Sequence, residues 1–216
     1  MHSMSTLDTS STVRPSLRMS EAEYERWGLE HESCEWVDGE VILKIAVEEN
    51  HDEIQAIIRG VMEHFVRRHK LGKVRGPEFT TRMKLAKKTV RRDPDVMFVA
   101  TANVPRLLPT YLDGPADLVV EIVSAESEFR DFNEKYFEYQ EAGVREYWIV
   151  NPLGKTMHLF VRDAGTNEFV RREPNTDGRF CSVVIDGLWF HPDDLFAVER
   201  PDVVMLLRKI DPALIA

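Results

Sequence analysis

Glu121 stands in the middle of Asp117-Leu-Val-Val-Glu121-Ile-Val-Ser124, an apolar run that should be buried on both faces. Isolated burial of a carboxylate is very costly, so it must meet a cation, hydrogen-bond donors or a metal, or give up its charge. A place at a sheet edge, or an arginine partner, would satisfy it too. A second acid, Asp95, follows Pro94 in Arg92-Asp93-Pro94-Asp95-Val96, at the mouth of a strand whose entry the proline fixes. Alone, such an aspartate also reads as a turn or cap residue. Two carboxylates from neighbouring strands can ligate one hard cation, because Mg²⁺ takes only about one or two from a protein and completes its shell with waters and phosphate oxygens. Lys135, fourteen residues after Glu121, falls in the first turn of the following helix and can point back over the strand. An ammonium there can orient a water or steady the charge that builds on a phosphate under attack. A single helical lysine is ordinarily solvated surface; the reading rests on the three residues together.

The elements that must position these residues are visible as patterns. Ser20 with Glu21, Glu23, Tyr24 and Trp27 reads as a short capped helix, and residues 35–44 as two short strands turned at Asp38-Gly39. Ile54, Ile57, Ile58, Val61, Met62 and Phe65 define one buried helical face, with Asn50 and Glu53 as a capping box. Residues 79–85 and 96–100 have strand character; separated by the turn at Lys87-Lys88 and closed by Pro105, they suggest a β-hairpin or meander. Residues 117–124 predict a central strand. Residues 131–142 predict a helix capped by Asp131 with Glu134 and stopped by Gly143, and residues 146–150 a further buried strand ended by Asn151-Pro152. Residues 156–196 alternate apolar and polar around Ala164-Gly165 and Asp177-Gly178, the pattern of an antiparallel extension. The order gives an α/β fold, a mixed sheet flanked by helices with a C-terminal antiparallel β-extension.

The 216 residues suffice for one buried core, expected over residues 20–200, with a disordered lead-in at 1–19 and a tail at 201–216. No apolar run reaches the roughly 18 to 20 residues of a membrane helix, and residues 1–19 lack the core of a signal peptide. Cys34 and Cys181 suggest neither a disulfide framework nor a zinc site, and a reducing cytoplasm is the expected compartment. The formal charge of −9 argues against a nucleic-acid partner, but residues 67–92 hold eleven Lys or Arg against one acid, Glu78. That polarity reads either as a solvated basic hairpin or as a face for phosphates.

The ordered set of Pro94-Asp95, Glu121 and a lysine resembles the PD-(D/E)XK nucleases, with one departure: Val123 stands where their lysine normally does, two residues past the acid. The order of motifs resembles the Uma-two family of restriction-endonuclease-like proteins, whose lysine has migrated to the next helix. The matching stretches are residues 35–40, His51, Pro94-Asp95-Val96, Pro115 with residues 117–124, residues 131–135, Tyr139 and residues 142–150, which together span about residues 20 to 196. Ala125-Glu126 and Asn151 diverge from the family pattern, the former adding negative charge beside the site. The resemblance implies that Asp95 and Glu121 bind Mg²⁺ or Mn²⁺, that Lys135 completes the catalytic set, and that the reaction is phosphodiester hydrolysis of nucleic acid, DNA being the first expectation. It implies a homodimer as well, with Glu35 and His51 either supporting the site or serving as a strand-edge acid and a helix-start residue. Tyr147 and Trp148 read as core. The alternatives are a nucleic-acid-binding or assembly module that keeps the fold without catalysis, and an interaction protein whose buried acid is structural.

Overall fold

The computed structural model describes residues 17–27, 34–43 and 48–214. Residues 1–16 of the expected lead-in, and Lys44 of the expected second strand, lie outside these. Leu17 and Arg18, assigned to that lead-in, instead form a short edge strand, β1 (Leu17–Arg18), paired with Val41 and Glu40. Helix α1 (Glu21–Trp27) follows, and its capping box is present: Ser20 N and Oγ donate to Glu23 Oε2 at 2.8 and 2.7 Å, and Glu23 N donates to Ser20 Oγ at 3.3 Å. Strands β2 (Cys34–Val37) and β3 (Glu40–Leu43) form the expected hairpin, turning through Asp38 and Gly39 at φ 47° and 91°.

The long helix α2 (Glu49–His69) buries Ile54, Ile58, Val61, Met62 and Phe65 as their spacing requires. Asn50 and Glu53 do not cap it. Both side chains instead accept hydrogen bonds from Arg200, which ties the start of the helix to the chain's C-terminal region. Strands β4 (Gly72–Arg75), β5 (Thr80–Lys84), β6 (Thr89–Arg92) and β7 (Val96–Ala100) come next. The hairpin partner of β5 is β6, across the lysine turn, while β7 belongs to a different sheet. Pro94 offers no N–H to continue a ladder, so the chain leaves one sheet at Asp93-Pro94 and enters the other at Val96, just after Asp95.

After β8 (Tyr111–Asp113) the predicted central strand appears as β9 (Leu118–Ile122), and after helix α3 (Lys135–Ala142) comes β10 (Glu146–Asn151), parallel to β9. Strands β11 (Thr156–Arg162) and β12 (Phe169–Arg172) extend this same sheet, so only β13 (Phe180–Cys181) and β14 (Trp189–Phe190) form a separate small one. Two short helices follow, α4 (Pro192–Leu195) and α5 (Val203–Ile210). The latter lies in the segment expected to be a tail, but Leu206 and Leu207 are buried in the main core and Val203 rests against Gly60 of α2.

The central sheet has the order β12-β11-β10-β9-β7-β4 and the second sheet β1-β3-β2-β6-β5-β8. Alternation along β9 explains its unbroken apolarity. Leu118, Val120 and Ile122 face α2 and α5, whereas Val119 and Val123 face Tyr139 of α3 and Met83, Val90 and Leu112 of the second sheet. Glu121 alternates with the second set and so points toward α3. Among the described residues no helix is long and apolar enough to cross a membrane.

Candidate active site

The antiparallel pairing of β7 with β9 sets Val96 opposite Val120. Continued by one residue, it opposes Asp95 to Glu121, and directly opposed residues project from the same face of a sheet. Asp95 Oδ2 accepts a 2.7 Å hydrogen bond from the backbone N–H of Ile122, which fixes the aspartate against the strand carrying Glu121. From α2, His51 Nε2 lies 3.3 Å from the same oxygen, and Gln55 Nε2 donates to the Asp95 carbonyl at 3.1 Å. Burial acts to lower the imidazole's pKa, but the Asp95 carboxylate outweighs it and holds His51 above its ordinary value.

Lys135 reaches this pair from the other side. Its Nζ is 2.9 Å from Glu121 Oε2, 3.1 Å from Asp131 Oδ1 and 3.6 Å from Glu35 Oε1. The remaining oxygen of Glu121, Oε1, accepts from the Tyr139 hydroxyl at 2.6 Å. Lys135 is 4% exposed and Glu121 2%, so these contacts are made with little water to weaken them. Val123, in the position of the usual lysine, is packed in the core on the side of the sheet that faces α3. The ammonium reaches Glu121 from the helix instead of from the next-but-one position of the strand.

The helix that carries Lys135 does not begin as its sequence suggested. Asp131 is no cap; it is buried inside a π-helical turn, Arg130–Glu134, that runs straight into α3, with Lys135 N donating to Arg130 O. The reciprocal bonds of a cap are made earlier, between Ser124 and Ser127, at 3.0 and 3.2 Å. Gly143, at φ 95°, ends the helix as expected, and its backbone N–H reaches back to Gln140 and Tyr139. Asp131, Lys135 and Tyr139 then form one stripe at four-residue spacing facing the sheet.

Around this centre lies a second buried ion network. Arg92, fully buried, donates to Glu35 Oε2 and Glu138 Oε2, both at 2.8 Å, and Lys88 Nζ donates to Glu138 Oε1 at 2.6 Å. Glu35, Glu121 and Asp131 thus surround one ammonium, with Arg92 beyond. Burial pushes the Glu121 carboxyl up to about 7; Lys135 opposes the shift, while Asp131, Asp95 and Glu35 add to it. Burial alone would lower the Lys135 ammonium, yet Asp131, Glu121 and Glu35 hold it well above the ordinary lysine value.

The structure therefore brings Asp95, Glu121 and Lys135 together and sets Glu35 and His51 beside them. Asp131, Tyr139, Arg92 and Glu138 are the neighbours that sequence reasoning missed. The signal for Asp131 and Tyr139 was their four-residue spacing on either side of Lys135; Arg92 was counted with a basic face. That face is not one surface. Arg82 and Arg91 pair with Glu21 on α1, Arg92 is internal, and Lys88 is committed to Glu138. Among the described residues no three His, Cys, Asp or Glu side chains gather into a metal-holding group. The donors that suit a hard divalent cation are the facing carboxylates of Asp95 and Glu121, and the surplus of buried acid over base here is charge that such a cation would neutralise.

A family model, Uma2, described as "Putative restriction endonuclease", matches residues 21–198, and the chain belongs to that family. In structure the chain is similar to "a putative nuclease belonging to DUF820" from Anabaena variabilis ATCC 29413, with a TM-score of 0.62 and 17% sequence identity over 78% of this chain and 94% of that one. At that identity the likeness is one of fold. No curated protein matches the chain.

Proposed function

We propose that this member of the Uma2 family is a metal-dependent nuclease that hydrolyses phosphodiester bonds of nucleic acid, DNA in the first place, with Asp95, Glu121 and Lys135 as its catalytic set. The observation that carries the reading is the contact of Lys135 Nζ with Glu121 Oε2 at 2.9 Å, beside an aspartate held on the neighbouring strand by Ile122 N. Asp95 and Glu121 would hold Mg²⁺ or Mn²⁺, which when bound supplies Lewis-acid activation of a water and of the scissile phosphate. Asp95 is the more exposed of the two acids at 9% and is oriented by His51 and the Ile122 amide. Tyr139 holds Glu121 Oε1 and so fixes which oxygen turns toward Lys135. The Lys135 ammonium, kept charged by three acids, is suited to orient the attacking water and to stabilise charge on the phosphoryl oxygens. We further propose a homodimer, as the sequence resemblance implies, in which two sites would address the two strands of a duplex.

One observation favours a second reading, in which the fold binds nucleic acid or a partner without cutting it. Both oxygens of Glu121 are already engaged, by Tyr139 and Lys135, inside a nearly closed region. Incubation of duplex DNA with Mg²⁺ or Mn²⁺ separates the two. The nuclease reading expects cleavage that Glu121→Gln and Lys135→Met each lower by at least about 10²-fold, the range for loss of one transition-state donor. Binding without cleavage, unaffected by Lys135→Met, supports the second.

A further inference from the structure

Four cations of residues 67–92 that no ion pair consumes among the described residues meet at the far end of α2. Arg67 and Lys70 from the end of the helix, and Lys73 and Arg75 from the edge strand β4, line a groove of about 540 Å³ together with Glu63 and Thr101. Among the described residues no carboxylate lies within ion-pair distance of Arg67, Lys70, Lys73 or Arg75. Glu63, the acid in the lining, is bound to Arg59 at 3.0 Å. Cations in the last turn suit the negative end of a helix. That accounts for Arg67 and not for the strand residues Lys73 and Arg75, which converge on the same space.

Helix α2 reaches both the candidate active site and the groove. His51 and Gln55 at its start contact Asp95, and Glu63 and Arg67 toward its end line the groove. Lys73 pairs with Val99, four residues along β7 from Asp95, or about 13 Å at the rise of a strand. Arg67 is sixteen residues along the helix from His51, or about 24 Å. At roughly 3.4 Å of duplex axis per base pair these spans correspond to about four to seven base pairs.

We infer that this groove is a distal phosphate-backbone contact: Arg67, Lys70 and Lys73 engage phosphodiesters about four to seven base pairs from the one being cut. The inference rests on the nucleic-acid reading of the site and adds to it where the substrate runs. Such contacts position a duplex without reading its sequence. They act on binding and leave the chemical step alone.

The test is equilibrium binding of a 20-base-pair duplex in EDTA, by fluorescence anisotropy across a range of salt, to the wild type and to the Arg67→Gln, Lys70→Gln, Lys73→Gln triple variant. All three residues are exposed, so the fold should persist. The expected result is a plot of log K against log salt shallower by about 2.7 in the variant, three phosphates at about 0.9 each. Single-turnover cleavage at saturating duplex should be unchanged. Equal salt slopes overturn the proposal; if inorganic phosphate nevertheless raises the melting temperature of the wild type and not of the variant, the groove is a small-anion site instead. A wild type that binds no duplex overturns this proposal and the nucleic-acid reading together. The shallower slope in a protein that cuts nothing upholds this proposal and defeats the nuclease reading alone.

Discussion

Burial disfavours the charge of Glu121 more than Lys135 restores it, and pushes its carboxyl up to about 7. A carboxyl raised from an ordinary 4.5 to about 7 contributes stability that is fully present below about pH 4.5 and is lost as the pH rises through 7. Urea unfolding between pH 5 and 8 should therefore show declining stability in the wild type and a flatter profile in Glu121→Gln. Removing the cation has the opposite emphasis. Lys135→Met leaves several acids around an empty position and should cost about 3 to 5 kcal/mol at pH 8, less at pH 5 where those acids can protonate, read from the same unfolding curves. Tyr139→Phe keeps the ring in the core and removes only the 2.6 Å bond to Glu121, a loss of about 1 to 3 kcal/mol. Its specific signature is a further rise in the pH at which Glu121 ionises, seen as an alkaline shift of the wild-type stability profile. The three central residues were legible because a charged residue in an apolar strand needs a partner, and few stood within reach. Asp131 was misread because an aspartate near the start of a helix is ordinarily a cap. Nothing in local composition announces the π-turn that buries it.

The elements were most legible where one period ran long enough to dominate, as along α2 and in the double-sided strands β9 and β10. They were least legible where the chain changes partner. Residues 79–100 carry three strands in succession, and only pairing in space assigns the first two to one sheet and the third to another. Asn50 and Glu53 had the chemistry of a capping box, but a distant arginine competes for both side chains and wins. The end of α3 was legible, since a glycine after a periodic run marks a left-handed stop. A Cβ on Gly143 would meet no atom within 4 Å, so Gly143→Ala tests backbone strain alone. It should destabilise the fold by roughly 1 to 2 kcal/mol, the cost of holding an L-residue at positive φ, as measured by chemical denaturation. The position of Lys135 depends on this stop only indirectly, so the site's response to metal should survive the change.

On the scale of the whole molecule the sequence implied the class of fold and not its full extent. Residues 201–216 were set aside because their apolar positions have no local partner; that partner is α2, about 140 residues earlier, where Gly60 leaves room for Val203. Truncation after Arg200 should expose the surface covered by Leu206 and Leu207 and cost on the order of 3 to 6 kcal/mol, at about 1.5 to 3 kcal/mol for each buried leucine; urea unfolding checks it. The basic segment of the sequence was likewise divided by the fold, part spent on holding α1 and the site and part left at the end of α2. The central claim, that Asp95 and Glu121 form a divalent-metal site, is tested most directly by thermal unfolding with and without millimolar Mg²⁺ or Mn²⁺. A ligand at about ten times its Kd stabilises the native state by roughly 1.4 kcal/mol, equivalent to about 3 to 6 °C for a chain of this size. The account predicts that shift in the wild type and its loss in the Asp95→Asn, Glu121→Gln double variant; an equal response of the two proteins, or none in either, would contradict it.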